Sequence, residues 1–193
     1  MKVYFCSQHI NITDKYWQNK ACTLCTLWMA LKSLNDDFNL SPDELLNEAL
    51  LINSFIDPGY WNHLKIAILA HNHGSPAYNE EFKSFPFGKE TKYAESIRDF
   101  GVEKIFNFIK NKEGFVIASV PKDFIHFDKP HSILIHNIEE VEDGGEIKKY
   151  FIYNDSEKLN EEDGANLKVS KEEFKEKWRR LGIFINKINN QYK

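Results

Sequence analysis

The sequence predicts an α+β chain, a helical part packed on an antiparallel sheet part. Three observations carry this. From Cys22 the apolar residues Leu24, Leu27, Trp28, Leu31 and Leu34 recur at three- and four-residue spacing, the period of a helix with one buried face. After Gly114 the pattern changes to short apolar runs separated by breakers, as strands require. Asp143-Gly144-Gly145 then supplies a hairpin turn signal between two such runs. Helices first and strands afterwards exclude an alternating βαβ order. The 193 residues suit one domain, with a helical part over about 1–113 and a sheet-rich part over about 114–193.

In chain order, Lys2 to Phe5 reads as a short strand and His9 to Lys20 as a polar loop. A first helix covers about 22–35 and ends near Asn35-Asp36-Asp37. Ser41-Pro42-Asp43-Glu44 opens a second, a capping box with proline at the first helical position. Asp57-Pro58-Gly59 is a turn, and Trp61 to Leu69 forms a third helix that Gly74 stops. Ala77 to Glu90 reads as irregular, with Pro86 and Gly88 as breakers. A fourth helix spans roughly 93–111, with Gly101 as an interruption. Phe115 to Val120 is a buried strand closed by Pro121, and His131 to Ile138 opens a second. Ile147 to Tyr153 is a third. A polar loop through Gly164, a helix capped by Ser170, and a last strand at Leu181 to Ile185 complete the chain.

Composition narrows the function classes. Hydrophobic content of 42% and charged content of 28% describe a globular chain, not a disordered one. The net charge of −4 gives no electrostatic reason to expect nucleic acid. No apolar run approaches the roughly 18–20 residues that span a bilayer, so no membrane partner is expected. The start is polar too early for a signal peptide, and three cysteines cannot all pair within one chain. A reducing cytoplasm is the expected compartment.

Three positions stand out together. Cys22 opens a helix, where partial positive charge and free N–H groups favour the thiolate. His131 opens one strand, and Asp155 closes the next. If those strands pair, His131 and Asp155 are neighbours at one end of the sheet. A thiol hydrolase needs such a nucleophile, a base beside it, and a group that orients the base. The Cys22 backbone N–H can donate to an oxyanion. Gln18, a side-chain amide just upstream, is placed to add a second donor.

These residues resemble a family. Cys22 through Leu34, then His131-Ser132-Ile133-Leu134-Ile135, then Tyr153-Asn154-Asp155, look like the papain-like cysteine peptidases of the bacteriocin-leader-processing type. Leu27, Met29 and Leu31 stand at the family's helix positions. The resemblance implies the papain-like fold, with Cys22 as nucleophile, His131 as base and Asp155 as orienting acid. It implies a peptide or amide substrate and neither a metal nor an organic cofactor. Thr23-Leu24 stands where the family has Gly-Pro, and Ser156 where it commonly has proline. The family's oxyanion glutamine is usually six residues before the cysteine, where this chain has Tyr16; Gln8 is a weaker substitute for Gln18.

Alternatives remain at this stage. Cys25 lies one helical turn on and is a second candidate nucleophile. Asn154 is a second candidate for the orienting group; strand alternation allows only one of Asn154 and Asp155 to serve. Cys22-Thr23-Leu24-Cys25 also spells the C-x-x-C of a thiol-disulfide oxidoreductase, and a catalytically degenerate, peptide-binding module would keep the same fold. His71-Asn72-His73 spells a nuclease-like tripeptide, but a histidine at a helix end is explained by the dipole. His136 is expected on the surface or in packing.

Overall fold

The computed structural model describes residues 2–35, 37–56, 59–84 and 91–188. Six strands form one antiparallel sheet. In spatial order they are β3 (Ala77–Glu81), β8 (Leu181–Asn186), β4 (Gly114–Lys122), β5 (His126–Asp143), β6 (Glu146–Asn154) and β7 (Leu167–Ser170). Helices cover both faces. On one lie α2 (Cys22–Leu34), α3 (Pro42–Leu51) and α4 (His63–Asn72), packed on Phe115, Ile117, Leu134, Ile183 and Ile185. On the other lie α5 (Ala94–Lys110) and α7 (Lys171–Lys177), packed on Val116, Ala118, Ile133, Phe151 and Phe184. Burial on both sides explains why β4 reads as a continuous apolar run and not as an alternation. Shorter elements are α1 (Lys15–Gln18), the two-stranded β1 (Phe55–Ile56) and β2 (Tyr60–Trp61), and α6 (Glu161–Gly164).

Helix α2 is held by packing. Leu24, Leu27, Met29 and Leu31 are fully buried, each contributing on the order of 2 kcal/mol. Its N-cap is Ala21, which has no side-chain cap bond, a loss of about 1 kcal/mol. Burial outweighs the missing cap, so the first N–H groups stay free of a side-chain partner. By contrast α3 carries the full predicted capping box, with the Glu44 N–H donating to Ser41 Oγ at 3.2 Å and the Ser41 N–H to Glu44 Oε2 at 2.7 Å.

Several expectations change. Lys2 to Phe5 joins no sheet among the described residues; the Tyr4 N–H donates instead to Ser33 Oγ. Part of the segment read as irregular is β3, the sheet's edge strand beside β8, so the sheet begins before residue 114. Helix α5 packs with the sheet half as well. Trp61 belongs to β2, not to the third helix, which starts at His63 behind an Asn62 cap. Gly101 does not interrupt α5: a Cβ there would lie 2.6 Å from the Phe82 ring and 2.7 Å from Trp178, so glycine is a packing requirement. The Asp143-Gly144-Gly145 turn is present, with Asp143 paired to Glu146 and both glycines at positive φ, as a two-residue hairpin loop needs. Asp36, Asp57, Pro58, Pro86 and Gly88 lie outside the described residues.

Strand β5 starts at His126, five residues before the predicted opening at His131. Pro121 and Pro130 face each other across the β4–β5 pair, and the register shifts beside them between Pro121 and Lys122. Proline cannot donate to a ladder and reads as a terminator in sequence. A bulge at this position lets the hairpin continue.

Candidate active site

Strand pairing sets the site. His131 lies on β5 opposite Val120, and Leu134 lies opposite Asn154, the last residue of β6. Asp155 follows at once. His131 Nε2 and Asp155 Oδ1 are 2.6 Å apart, and both side chains are almost wholly buried. The Glu157 N–H donates to the same Asp155 oxygen at 2.9 Å, and the Asp155 N–H is held by the Gly164 carbonyl at 2.8 Å. Gly164 is required there, because a Cβ would fall 2.5 Å from the Phe5 ring.

With Nε2 engaged by the carboxylate, Nδ1 is the nitrogen left for Cys22. The thiol, half-buried at the first turn of α2, hydrogen-bonds the His131 ring. The structure therefore brings Cys22, His131 and Asp155 together. Cys22, His131, Thr23, Ser132, Trp61 and Asn19 line one cleft of about 280 Å³.

The electrostatics form a consistent set. Burial pushes the Cys22 thiol up, but its bond to His131, the imidazolium charge, the Ser132 N–H and the Thr23 hydroxyl outweigh that and hold it below the ordinary thiol value. Burial pulls His131 down, yet its bonds to Asp155 and Cys22 and their charges raise it to about 10. Asp155 is pushed up by burial, but held below its usual value by His131, the Glu157 N–H and the Lys158 charge. A lowered thiol beside a raised imidazole favours the thiolate–imidazolium pair over the neutral pair.

Gln18 stands apart. Its Nε2 donates to the Ile12 carbonyl at 2.9 Å, so the amide expected at the oxyanion is committed elsewhere. Gln8 is buried against Glu157 and Ser156. The amide that does line the cleft is Asn19, three residues before Cys22, which the sequence reading passed over as loop. The sequence carried no signal for it, because the single turn that Asn19 caps reads there as polar loop.

Cys25 is fully buried, and its thiol contacts Cys6; burial and that contact push it well above the ordinary value. It does not line the cleft. Asn154 does not meet His131; its Oδ1 takes His136 Nε2 at 3.0 Å. His136 is packed rather than exposed. The two histidines of the tripeptide part company: His71 bonds the Ala77 carbonyl at 2.7 Å, and His73 bonds Glu48 at 2.6 Å.

No family model and no curated protein matches this chain. Solved structures do. A double-glycine motif protease from an AMS/PCAT transporter, in complex with the leader peptide, superposes with a TM-score of 0.53 at 15% identity, covering 97% of this chain and 93% of that one. The peptidase domain of Streptococcus ComA, a bifunctional ABC transporter of a quorum-sensing pathway, gives 0.54 at 14% identity, covering 88% and 93%. At this identity the likeness speaks for the fold. This chain has the papain-like fold of the double-glycine peptidase domains, as its α+β sequence pattern and its Cys, His and Asp segments predict.

Proposed function

We propose that this protein is a cysteine peptidase or amidase that works through a Cys22–His131–Asp155 triad. The observation that carries the reading is the 2.6 Å His131–Asp155 bond, with the half-buried Cys22 thiol beside the same ring, at the wall of a cleft. The fold neighbour solved with a bound leader peptide supports a peptide as substrate. Nothing in the triad calls for a metal or an organic cofactor.

The Cys22 thiolate adds to the scissile carbonyl carbon. The carbonyl electron pair moves onto oxygen, which the Cys22 N–H receives at the uncapped start of α2. Asn19 supplies the second donor in place of Gln18. His131 gives its Nδ1 proton to the departing amine, the C–N bond breaks, and a thioester remains on Cys22. Water, deprotonated by His131, then adds to the thioester and releases the acid. Asp155 keeps the ring oriented through both its protonated and its neutral states.

The test is a peptide-amide library assayed with the parent chain, Cys22→Ala, His131→Ala and Asn19→Ala, followed by mass spectrometry of acid-quenched enzyme. The expected result is a thioester on Cys22 alone and no turnover by Cys22→Ala. His131→Ala falls by about a thousandfold or more, and Asn19→Ala by about a hundredfold in kcat with little change in KM. Turnover that survives Cys22→Ala removes the peptidase reading. A reversible Cys22–Cys25 disulfide that forms under mild oxidant would support the oxidoreductase instead.

A further inference from the structure

The residues directly after the nucleophile and the base meet each other. Thr23 Oγ1 and Ser132 Oγ are 2.9 Å apart, both buried, and they join α2 to β5 across 109 positions of sequence. Each also reaches the Cys22 sulfur, Thr23 through its hydroxyl and Ser132 through its backbone N–H. A thiolate has no hydrogen to give and can only accept. That fixes the direction of both contacts. The Thr23 hydrogen goes to sulfur, so the hydrogen between the two hydroxyls must come from Ser132.

We propose that Ser132 and Thr23 form a two-hydroxyl relay, Ser132 Oγ–H to Thr23 Oγ1–H to the Cys22 sulfur, that holds the thiolate in place for His131. Thr23 touches the reacting atom. Ser132 is a positioning residue: its hydroxyl orients Thr23, and its N–H fixes the sulfur from the strand that also carries His131. The relay links the helix of the nucleophile to the strand of the base at the reacting atom itself. The family pattern has glycine at position 23, which offers no hydroxyl, so this device belongs to this chain.

The inference rests on Cys22 acting as the thiolate nucleophile, but its readout needs no substrate. Iodoacetamide alkylation of Cys22 in the full chain, followed by mass across the pH range, reports the thiolate directly. Thr23→Val keeps the branched shape and removes the hydroxyl. Its acid limb should move up by about one pH unit, with alkylation about tenfold slower on that limb. Thr23→Ser should restore the parent profile. Ser132→Ala keeps the N–H and removes the hydroxyl, and should slow alkylation about threefold. Because that hydroxyl acts only through Thr23, the double variant should be no slower than Thr23→Val alone. A Thr23→Val profile that superimposes on the parent's overturns the relay, as does a Ser132→Ala effect that adds in full to it. Should Thr23→Val fail to fold, an unmoved limb in Ser132→Ala is the overturning result. A shifted limb without any peptide turnover would sink the peptidase reading and leave the relay standing.

Discussion

The paired ends of β5 and β6 carry two histidine pairs, one buried and one half-buried, and they behave in opposite ways. His131 meets the carboxylate of Asp155 at 2.6 Å; five residues on, His136 meets the amide of Asn154 at 3.0 Å. Burial pulls both rings down. At His131, bonds and charges from Asp155 and Cys22 overcome burial and raise the ring to about 10. At His136 the neutral amide recovers too little, and the ring falls to about 4. Burial alone therefore does not make a histidine a base. A charged partner on one nitrogen and an acidic thiol on the other decide it. A β-bulge sets the two apart: the β5–β6 register shifts between Ile135 and Asn137, at His136.

The largest test of this contrast removes the carboxylate. Asp155→Ala leaves the imidazolium unsupported and unoriented, and kcat/KM should fall by about a thousandfold. Asp155→Asn is the finer cut. An amide oxygen can still accept from His131 and from the Glu157 N–H, so the geometry survives while the charge is lost. A tenfold loss, on the order of one charge-assisted bond weakened to a neutral one, should come with a basic limb that moves down. In the parent, kcat/KM against pH should be bell-shaped. It rises through the lowered Cys22 value as the thiolate forms and falls near about 10 as His131 loses its proton. A basic limb that stays put in Asp155→Asn would mean that Cys22, not Asp155, sets the His131 value.

The contrast also separates what could be read from sequence from what could not. The periodicity after Cys22, the strand segments of His131 and Asp155, and the Gly144-Gly145 turn are local signals, and each led to its element. The choice of Asp155 over Asn154 depends on which face of β6 each side chain meets, and adjacent residues look alike in sequence. Gln18 failed as the oxyanion amide because α1, a single turn between Asp14 and Asn19, directs its side chain to the Ile12 carbonyl. Strand β3 was missed because Ala77-Tyr78-Asn79-Glu80-Glu81 has little apolar character; it is an edge strand held by pairing with β8. Thr23 and Ser132 meet across 109 positions, a distance over which no spacing rule speaks.

Converting the second pair into the first is the next test. Asn154→Asp puts a carboxylate on His136 Nε2, and the ring should rise from about 4 to above its ordinary 6.5, followed by its ring proton resonances in NMR. The change removes the Asn154 Nδ2 donor to the Tyr4 carbonyl, so a destabilisation of about 1–2 kcal/mol is expected beside it. Activity should be little altered, because no thiol faces His136. A ring that stays near 4 would show that burial, not partner charge, governs this position.

The smallest effect concerns stability alone. The unfolded chain protonates His136 at its ordinary 6.5, but the fold keeps the ring neutral until about 4. Above 6.5 both states are neutral, and the group adds no pH dependence. As pH falls from 6.5 to 4 the unfolded state takes up the proton and the folded state does not. Stability is lost over that window, by about 3 kcal/mol in all, and levels off below it. His131 has the opposite sign. Its ring is raised, so its contribution is complete below 6.5 and is lost as pH rises through about 10. Asp155, held low, is lost only as pH falls below its ordinary 3.8, outside the His136 window. Urea unfolding of the parent and His136→Gln at several pH values between 4 and 7 isolates the term. The glutamine chain should lose less stability on acidification than the parent, and parallel curves would mean that His136 takes up its proton in the fold as readily as in the unfolded chain.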